Sequence, residues 1–198
     1  QGYFVYDSKK SGATTVSHLR FGPEEIKATY LIDQASFVAC HDFGMLEKVD
    51  VLGRAKPGGT FLLNSPYGAD GTWDRLPVEV QEQIISKKLD FYVVDGYEVA
   101  REAGLGRRVN TVLQTCFFAL ADVIPSDEAV SAIKDSVKKT YGKRGETVVN
   151  RNYAAIDGAI EAMHKVEVPS DADSLARMKP PVPDHAPDFV QRVTSMII

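Results

Sequence analysis

The residues best suited to hold a ligand lie between Ala103 and Asn110, in the run AGLGRRVN. Two glycines permit a sharp turn, two arginines follow, and an apolar run of helical period begins directly behind them. The first amides of a helix have no acceptor within it, and its dipole makes that end positive. Free N–H groups beside guanidinium forks suit a phosphate-like anion. The same residues equally suit a plain helix–helix connection with solvated arginines. A dinucleotide fingerprint is excluded, because the third glycine is missing and the loop follows a helix rather than a strand. Asn110 falls in the first turn of the new helix, with Gln114 one turn on, and Asn150 and Asn152 fall near the start of a later helix. Side-chain amides donate and accept, which suits an extended ligand with amides of its own as well as hydrogen bonding at a helix end.

A second cationic feature is the tip of a hairpin. Tyr3 and Val5, then Thr15, Ser17, Leu19 and Phe21, fall at period two, the pattern of strands with two distinct faces. Between them, Asp7-Ser8-Lys9-Lys10-Ser11-Gly12 has turn chemistry, with two lysines at its tip. That tip suits a phosphate, and it also suits the simpler task of keeping a strand edge soluble. Polar groups end three further strands: His41, Asn64-Ser65 and Asp95-Gly96. Ligands of open α/β sheets bind outside the carboxyl ends of their strands, although Asn, Asp, Ser and Gly also favour such turns for local reasons. Asp95 reads as a turn residue. Asn64 and Ser65 read equally as turn residues or as ligand contacts. His18 and Arg20 share one strand face and read as exposed.

Other chemistries are excluded. No His/Cys grouping has metal-ligand spacing, and the neighbours Cys40 and His41 point to opposite faces of a strand. There is no Gly-x-Ser-x-Gly elbow, no phosphate loop ending in Gly-Lys-Ser/Thr, and no Gly-Asp-Gly. The two cysteines, Cys40 and Cys116, sit in apolar runs and are too few for a disulfide framework or for an iron–sulfur cluster. They read as buried thiols in a reducing cytoplasm. A net charge of −4 over 198 residues gives no general attraction to nucleic acid or anionic lipid. No apolar run reaches membrane-spanning length, and no signal-peptide pattern is expected from these residues.

The elements that must position these groups follow from periodicity. After the hairpin, Ile26 to Ile32 and Phe37 to His41 read as short strands, and Met45 to Leu52 as a helix. Lys56-Pro57-Gly58-Gly59 is a turn signal. Thr60 to Asn64 and Phe91 to Val94 read as strands covered on both faces, with a helix from Pro77 to Lys88 between them. Strand and helix in alternation imply right-handed crossovers and a largely parallel sheet between helical layers, a three-layer α/β/α sandwich to which the hairpin adds antiparallel strands. The C-terminal half is helical. Val109, Val112, Leu113, Cys116, Phe117 and Leu120 form one apolar stripe. Ser126 caps a helix that ends at Gly142, and a last helix runs from Glu146 to His164 with Tyr153, Ile156, Ile160 and Met163 inward. Five of the ten prolines lie between Pro169 and Pro187, an exposed extended linker, and Phe189 to Ile198 reads as an amphipathic helix.

Several runs resemble, in order, a segment of the pyruvate:ferredoxin (flavodoxin) oxidoreductases. They are YFVYDSKKSG with TVSHLRFGP, TYLIDQASFVACH, KPGGTFLLNSP, AGLGRRVN and YGKRGETVVNRNYAAID. The resemblance runs from Gln1 to about Pro169. It implies a gamma-type α/β domain over residues 1–168, then a Pro-rich linker and the start of a following segment over 169–198. It also implies that a first strand, a glycine-rich loop and a helix precede Gln1 in a longer polypeptide. The implied parent reaction converts pyruvate and coenzyme A to acetyl-coenzyme A and carbon dioxide, with electrons passing through 4Fe-4S clusters to ferredoxin or flavodoxin. This segment would contact coenzyme A and would hold no catalytic residue. Thiamine diphosphate and the clusters would belong to other domains of the same polypeptide, in a cytoplasmic homodimer with no nucleic-acid or membrane partner. The first lysine of SKK and the asparagines at two helix starts match the family's contact positions, which implies Lys9, Asn110 and Asn152, with Asn150 as the other candidate for the last. Two other readings remain. One is a structural module that holds catalytic and cluster domains together without touching a ligand. The other is a nicotinamide-binding fold, which the failed glycine pattern weakens.

Overall fold

The computed structural model describes residues 1–6 and 14–196. Lys9 and Lys10, with the rest of the hairpin tip, lie outside the described residues, as do Ile197 and Ile198. The sheet is four-stranded. Strands β3 (Ala35–Cys40), β4 (Ala55–Asn64) and β5 (Asp90–Val94) are parallel, and the two-residue β6 (His164–Lys165) closes the β5 edge antiparallel. Period-two alternation divides the apolar runs between two cores. Phe61, Leu63, Phe91 and Val93 face one side, where Val80 and Ile84 of α2 (Val78–Lys87) cover them with Trp73 and Leu76, which follow the short α1 (Gly68–Thr72). Leu62 and Val94 face the other, beneath α3 (Gly96–Glu102), α4 (Asn110–Leu120) and α6 (Glu146–Glu161). Phe61 and Phe91 stack at 5.1 Å across the first core. Helix α5 (Ser126–Tyr141) lies outermost, with Ile133 and Val137 packed against Val149 and Ile156 of α6. The result is the α/β/α sandwich that the alternation implies.

The turn signal at residues 56–59 is real, but it lies inside a strand. Pairing jumps from Ala35↔Ala55 to Phe37↔Thr60, so Lys56 to Gly59 bulge out of the ladder, and Gly58 takes φ +71°.

Several expectations are corrected. The hairpin strands β1 (Gly2–Tyr6) and β2 (Thr15–Leu19) form a separate ribbon and do not join the main sheet. Residues 26–32 form no strand, because side chains of the ribbon take their backbone groups. Gln1 Nε2 and Tyr3 Oη donate to Ala28 O at 2.9 and 3.0 Å, and Arg20 Nη2 donates to Tyr30 O at 2.7 Å. His18 Nδ1 accepts from Ile32 N at 3.2 Å, so His18 is buried rather than exposed, and burial holds its pKa below the usual imidazole value. The helix expected over Met45 to Leu52 shrinks to one 3₁₀ turn, Phe43–Glu47, started by Asp42 Oδ1 accepting from Gly44 N at 2.9 Å. Ser126 is the first helical residue of α5 and caps nothing. Helix α6 ends at Glu161 because His164 and Lys165 pair with β5, and Ile160 points outward while Val149, Asn152, Ala155, Ile156 and Ala159 face in. At the C-terminus a single turn, α7 (Asp188–Arg192), precedes a 3₁₀ turn over Thr194–Met196.

The extended segment after Pro169 is pinned to the body. Gln81 is fully buried: its Oε1 accepts from Asp173 N and Ser174 N, both at 3.0 Å, and its Nε2 donates to Trp73 O at 2.9 Å. Glu79 Oε2 accepts from Met178 N at 3.0 Å, and Val78 N donates to Ala176 O at 2.8 Å.

Candidate functional site

The carboxyl ends of the parallel strands are joined by one side chain. Asn64, at the end of β4, donates Nδ2 to His41 O at 3.0 Å, and its Oδ1 accepts from Gly96 N at 2.9 Å. It thus ties the ends of β3 and β5 to its own strand, and it is only 3% exposed. Ser65 is equally occupied: its hydroxyl lies 2.6 Å from Thr72 Oγ1 and accepts from Tyr67 N at 3.2 Å. Both residues are internal fasteners. Asp95 caps α3, with Oδ1 accepting from Glu98 N at 3.0 Å, as its turn reading predicts.

Beside this rim, the AGLGRRVN run folds as the turn from α3 into α4. Gly104 and Gly106 adopt φ +72° and +65°, which L side chains rarely take. At Gly104 a Cβ would also stand 3.1 Å from Arg151 Nε, so the bare glycine lets the α6 guanidinium lie against the turn. Arg107 lies over the Tyr97 ring at 5.5 Å. Arg108 is exposed, and none of Arg107, Arg108 and Arg151 is ion-paired with a described carboxylate. Helix α4 starts without a side-chain cap, and Asn110, its first residue, is exposed. Gly96 abuts Val112 in the same first turn, where a Cβ would meet Val112 Cγ1 at 3.6 Å, so the turn sits at the carboxyl rim of the sheet.

The fold draws Asn110 and Asn152 into one neighbourhood. Thr111, next to Asn110, donates Oγ1 to Asn152 Oδ1 at 3.1 Å, and Asn152 Nδ2 donates to Val148 O at 2.8 Å. Asn152 is buried, and its amide already has partners on both atoms, whereas Asn150 is exposed. Sequence reasoning named Asn152 without the Thr111 clasp, whose only signal is a hydroxyl on the inner face of α4. Arg151 was also missed, since it sits between the two asparagines with no motif of its own. Lys9 falls outside the described residues.

The donor set fits an anion with polar, amide-bearing extensions. It does not fit a metal cluster: Cys40 and Cys116 are buried in separate cores, and burial pushes their thiols up to about 11 and about 12. Among the described residues no group of three His, Cys, Asp or Glu side chains could hold a metal ion, and no helix is long and apolar enough to cross a membrane. A groove of about 410 Å³ between α3 and α6 is walled by Ala103, Ala154 and Gly158 and carries the carboxylates of Glu102 and Glu161, which disfavour a phosphate.

Comparison with known proteins places this geometry in a family. The family model described as pyruvate ferredoxin/flavodoxin oxidoreductase matches residues 1–162. The chain is 54% identical to a putative pyruvate-flavodoxin oxidoreductase of Synechocystis sp. and 51% identical to a pyruvate-flavodoxin oxidoreductase of Rhodospirillum rubrum, over all of this chain but 17% and 16% of those proteins. It is 48% identical to the pyruvate:ferredoxin oxidoreductase of Moorella thermoacetica over 98% of its length and 16% of the relative's. The chain therefore spans about a sixth of the relatives it matches. Among solved structures, the pyruvate oxidoreductase subunit PORC of Thermotoga maritima shares the fold with a TM-score of 0.60, covering 84% of this chain and 81% of that subunit at 16% identity. The match over most of its length, together with relatives near half identity, shows that this chain belongs to the pyruvate ferredoxin/flavodoxin oxidoreductase family.

Proposed function

We propose that this chain is the coenzyme A-contacting domain of an enzyme that oxidatively decarboxylates pyruvate to acetyl-coenzyme A and carbon dioxide and passes electrons to ferredoxin or flavodoxin. The observation that carries this reading is the Thr111–Asn152 clasp, which fixes the first turn of α4 and an exposed Asn110 beside three arginines at the carboxyl rim of the sheet. Thiamine diphosphate and iron–sulfur clusters, held by other domains, supply the carbon–carbon cleavage and the electron relay. This chain's residues bind and orient. Lys9 is proposed to hold a phosphate of the coenzyme and Asn110 to bond its amide-bearing arm. Asn152, with its amide engaged, acts as a positioning residue through Thr111. Residues 1–168 form the binding domain, and 169–198 lead toward the next part of the polypeptide. Positioning a thiol acceptor is worth orders of magnitude in rate even without acid–base chemistry.

The test is Lys9→Ala in the full-length enzyme, with coenzyme A varied at saturating pyruvate. A charge-assisted contact is worth roughly 1.5–3 kcal/mol, so the coenzyme requirement should rise about ten- to a hundredfold. Coenzyme-independent decarboxylation should stay intact. An unchanged coenzyme requirement sinks the assignment.

A further inference from the structure

We propose that His18 is a pH-sensitive positioning residue: while neutral, its imidazole clasps the β1–β2 ribbon to the backbone at Ile32, and once protonated it releases that clasp and weakens coenzyme A binding through Lys9. The inference rests on the reading that Lys9 holds a phosphate of the coenzyme. Lys9 belongs to the connection between Tyr6, the last residue of β1, and Thr15, the first of β2. Whatever fixes the two strands therefore fixes both ends of the segment that carries it.

The hydrogen bond assigns the proton on His18. Nδ1 accepts from Ile32 N at 3.2 Å, so it presents a lone pair, and the neutral ring carries its hydrogen on Nε2. Nε2 is buried and has no acceptor among the described residues. A second proton puts an N–H on Nδ1 as well, which sets donor against donor and leaves Ile32 N without its acceptor. The new charge also meets charges of its own sign. Arg20 lies two residues along the same strand face, and Arg54 precedes β4, its carbonyl accepting from Ala35 N at 2.7 Å. Tyr3, opposite His18 on β1, is engaged, with Oη donating to Ala28 O at 3.0 Å. Glu24, Glu25 and Asp33 in the adjoining chain are exposed.

Burial first, and then Arg54 and Arg20, hold the imidazole below its ordinary value of 6.5. A depressed value means that the released ring binds a proton more readily than the clasped one. The clasp is therefore at full strength above pH 6.5 and loosens as the pH falls toward the depressed value. Three further bonds at the root of the ribbon involve no imidazole: Gln1 and Tyr3 to Ala28 O, and Arg20 to Tyr30 O. Acid thus loosens the ribbon without detaching it. Every group in the clasp lies between Gln1 and Arg54, so the device does not depend on what covers the ribbon.

The full-length enzyme tests both parts. Exchange of the Ile32 amide, corrected for the intrinsic effect of pH, should be about fivefold faster at about pH 5.5 than at about pH 7.5, the worth of one net hydrogen bond. His18→Asn keeps an acceptor at the Nδ1 position without a titrating ring, and should show no such change. The coenzyme's own phosphate titrates near pH 6, at about the same point for either enzyme. The KM for coenzyme A should nevertheless rise about fivefold more over this interval in wild type than in His18→Asn, with kcat changing equally in both. Ile32 exchange that ignores pH overturns the proposal, and that readout needs no variant. Equal pH dependence of KM in wild type and His18→Asn, with Lys9→Ala still raising the coenzyme requirement, overturns it while leaving the coenzyme reading intact. An unchanged requirement in Lys9→Ala overturns the coenzyme reading, and the link from His18 to the coenzyme falls with it.

Discussion

Replacing Asn152 with leucine should loosen the joint between α4 and α6 without opening the core. The amide makes two bonds, accepting from Thr111 Oγ1 at 3.1 Å and donating to Val148 O at 2.8 Å, and the side chain is 5% exposed. Leucine has nearly the same volume, so no cavity forms. Neither abandoned partner is stranded. Val148 O keeps its place in the helical ladder, and Thr111, half-buried in the first turn of α4, can turn its hydroxyl to water. The cost is therefore the net worth of hydrogen bonds, about 1 kcal/mol, and not the larger penalty of a buried group left without a partner. That corresponds to about a fivefold change in an equilibrium. Amides in the first two turns of α4 should exchange about fivefold faster in the full-length enzyme. The KM for coenzyme A should rise about two- to fivefold with kcat nearly unchanged. Thr111→Val should shift both in the same direction by at least as much, because it leaves the buried Asn152 Oδ1 without its donor, and the double variant should be no worse than Thr111→Val, leaving a coupling energy of about 1 kcal/mol or more. The opposite pattern refutes the reasoning: a tenfold or larger rise in KM for Asn152→Leu with a silent Thr111→Val would mean that Asn152 touches the coenzyme directly.

Gln81→Met removes the acceptor for Asp173 N and Ser174 N and the donor to Trp73 O. The strap can lift into water and rehydrate its amides, so stability should fall by about 1–3 kcal/mol at most, with cleavage by a nonspecific protease appearing between residues 173 and 179. Retained protection there would show that Glu79 and Val78 hold the strap without Gln81. Cys40 and Cys116, their thiols raised to about 11 and about 12, should resist iodoacetamide at pH 8 in the native enzyme and react after denaturation. Peptide mapping that found either one alkylated natively would contradict their burial.

The parallel core was legible because its signals are local. Thr60 to Asn64 and Phe91 to Val94 are unbroken apolar runs, and the helix between them starts just after a proline and has a clear period. Elements held by distant partners were not. His164 and Lys165 become a strand only because β5 offers an open edge more than 70 residues earlier in sequence. Residues 26–32 have strand-like composition, yet their carbonyls and amides are taken by Gln1, Tyr3, His18 and Arg20, so no ladder forms. The same limit governed the polar groups. The glycine–arginine turn was readable because only glycine tolerates positive φ easily, and the two glycines announce the bend. Asn64 and Ser65 looked open to a ligand because nothing in the sequence reveals that His41 O, Gly96 N and Thr72 occupy them.

That occupancy separates scaffold from contact at the rim. Asn64 and Asn152 are buried amides with partners on both atoms, and removing those partners to admit a ligand would loosen the strand ends or the α4–α6 joint. The groups left with capacity are the exposed ones, Asn110, Arg107, Arg108 and Arg151. Two of the arginines are already placed, Arg107 over Tyr97 and Arg151 against Gly104. Ordering a long side chain on binding costs about 0.5–1.5 kcal/mol, and packing against a neighbour reduces that cost before any ligand arrives. Three guanidinium groups without a described carboxylate, in a chain of net charge −4, favour an anionic guest over an acidic residue of the domain itself. A phosphate-bearing coenzyme has that chemistry. Under the proposed function, the domain would influence turnover by where it holds the coenzyme, with the chemistry of the reaction carried out in other domains.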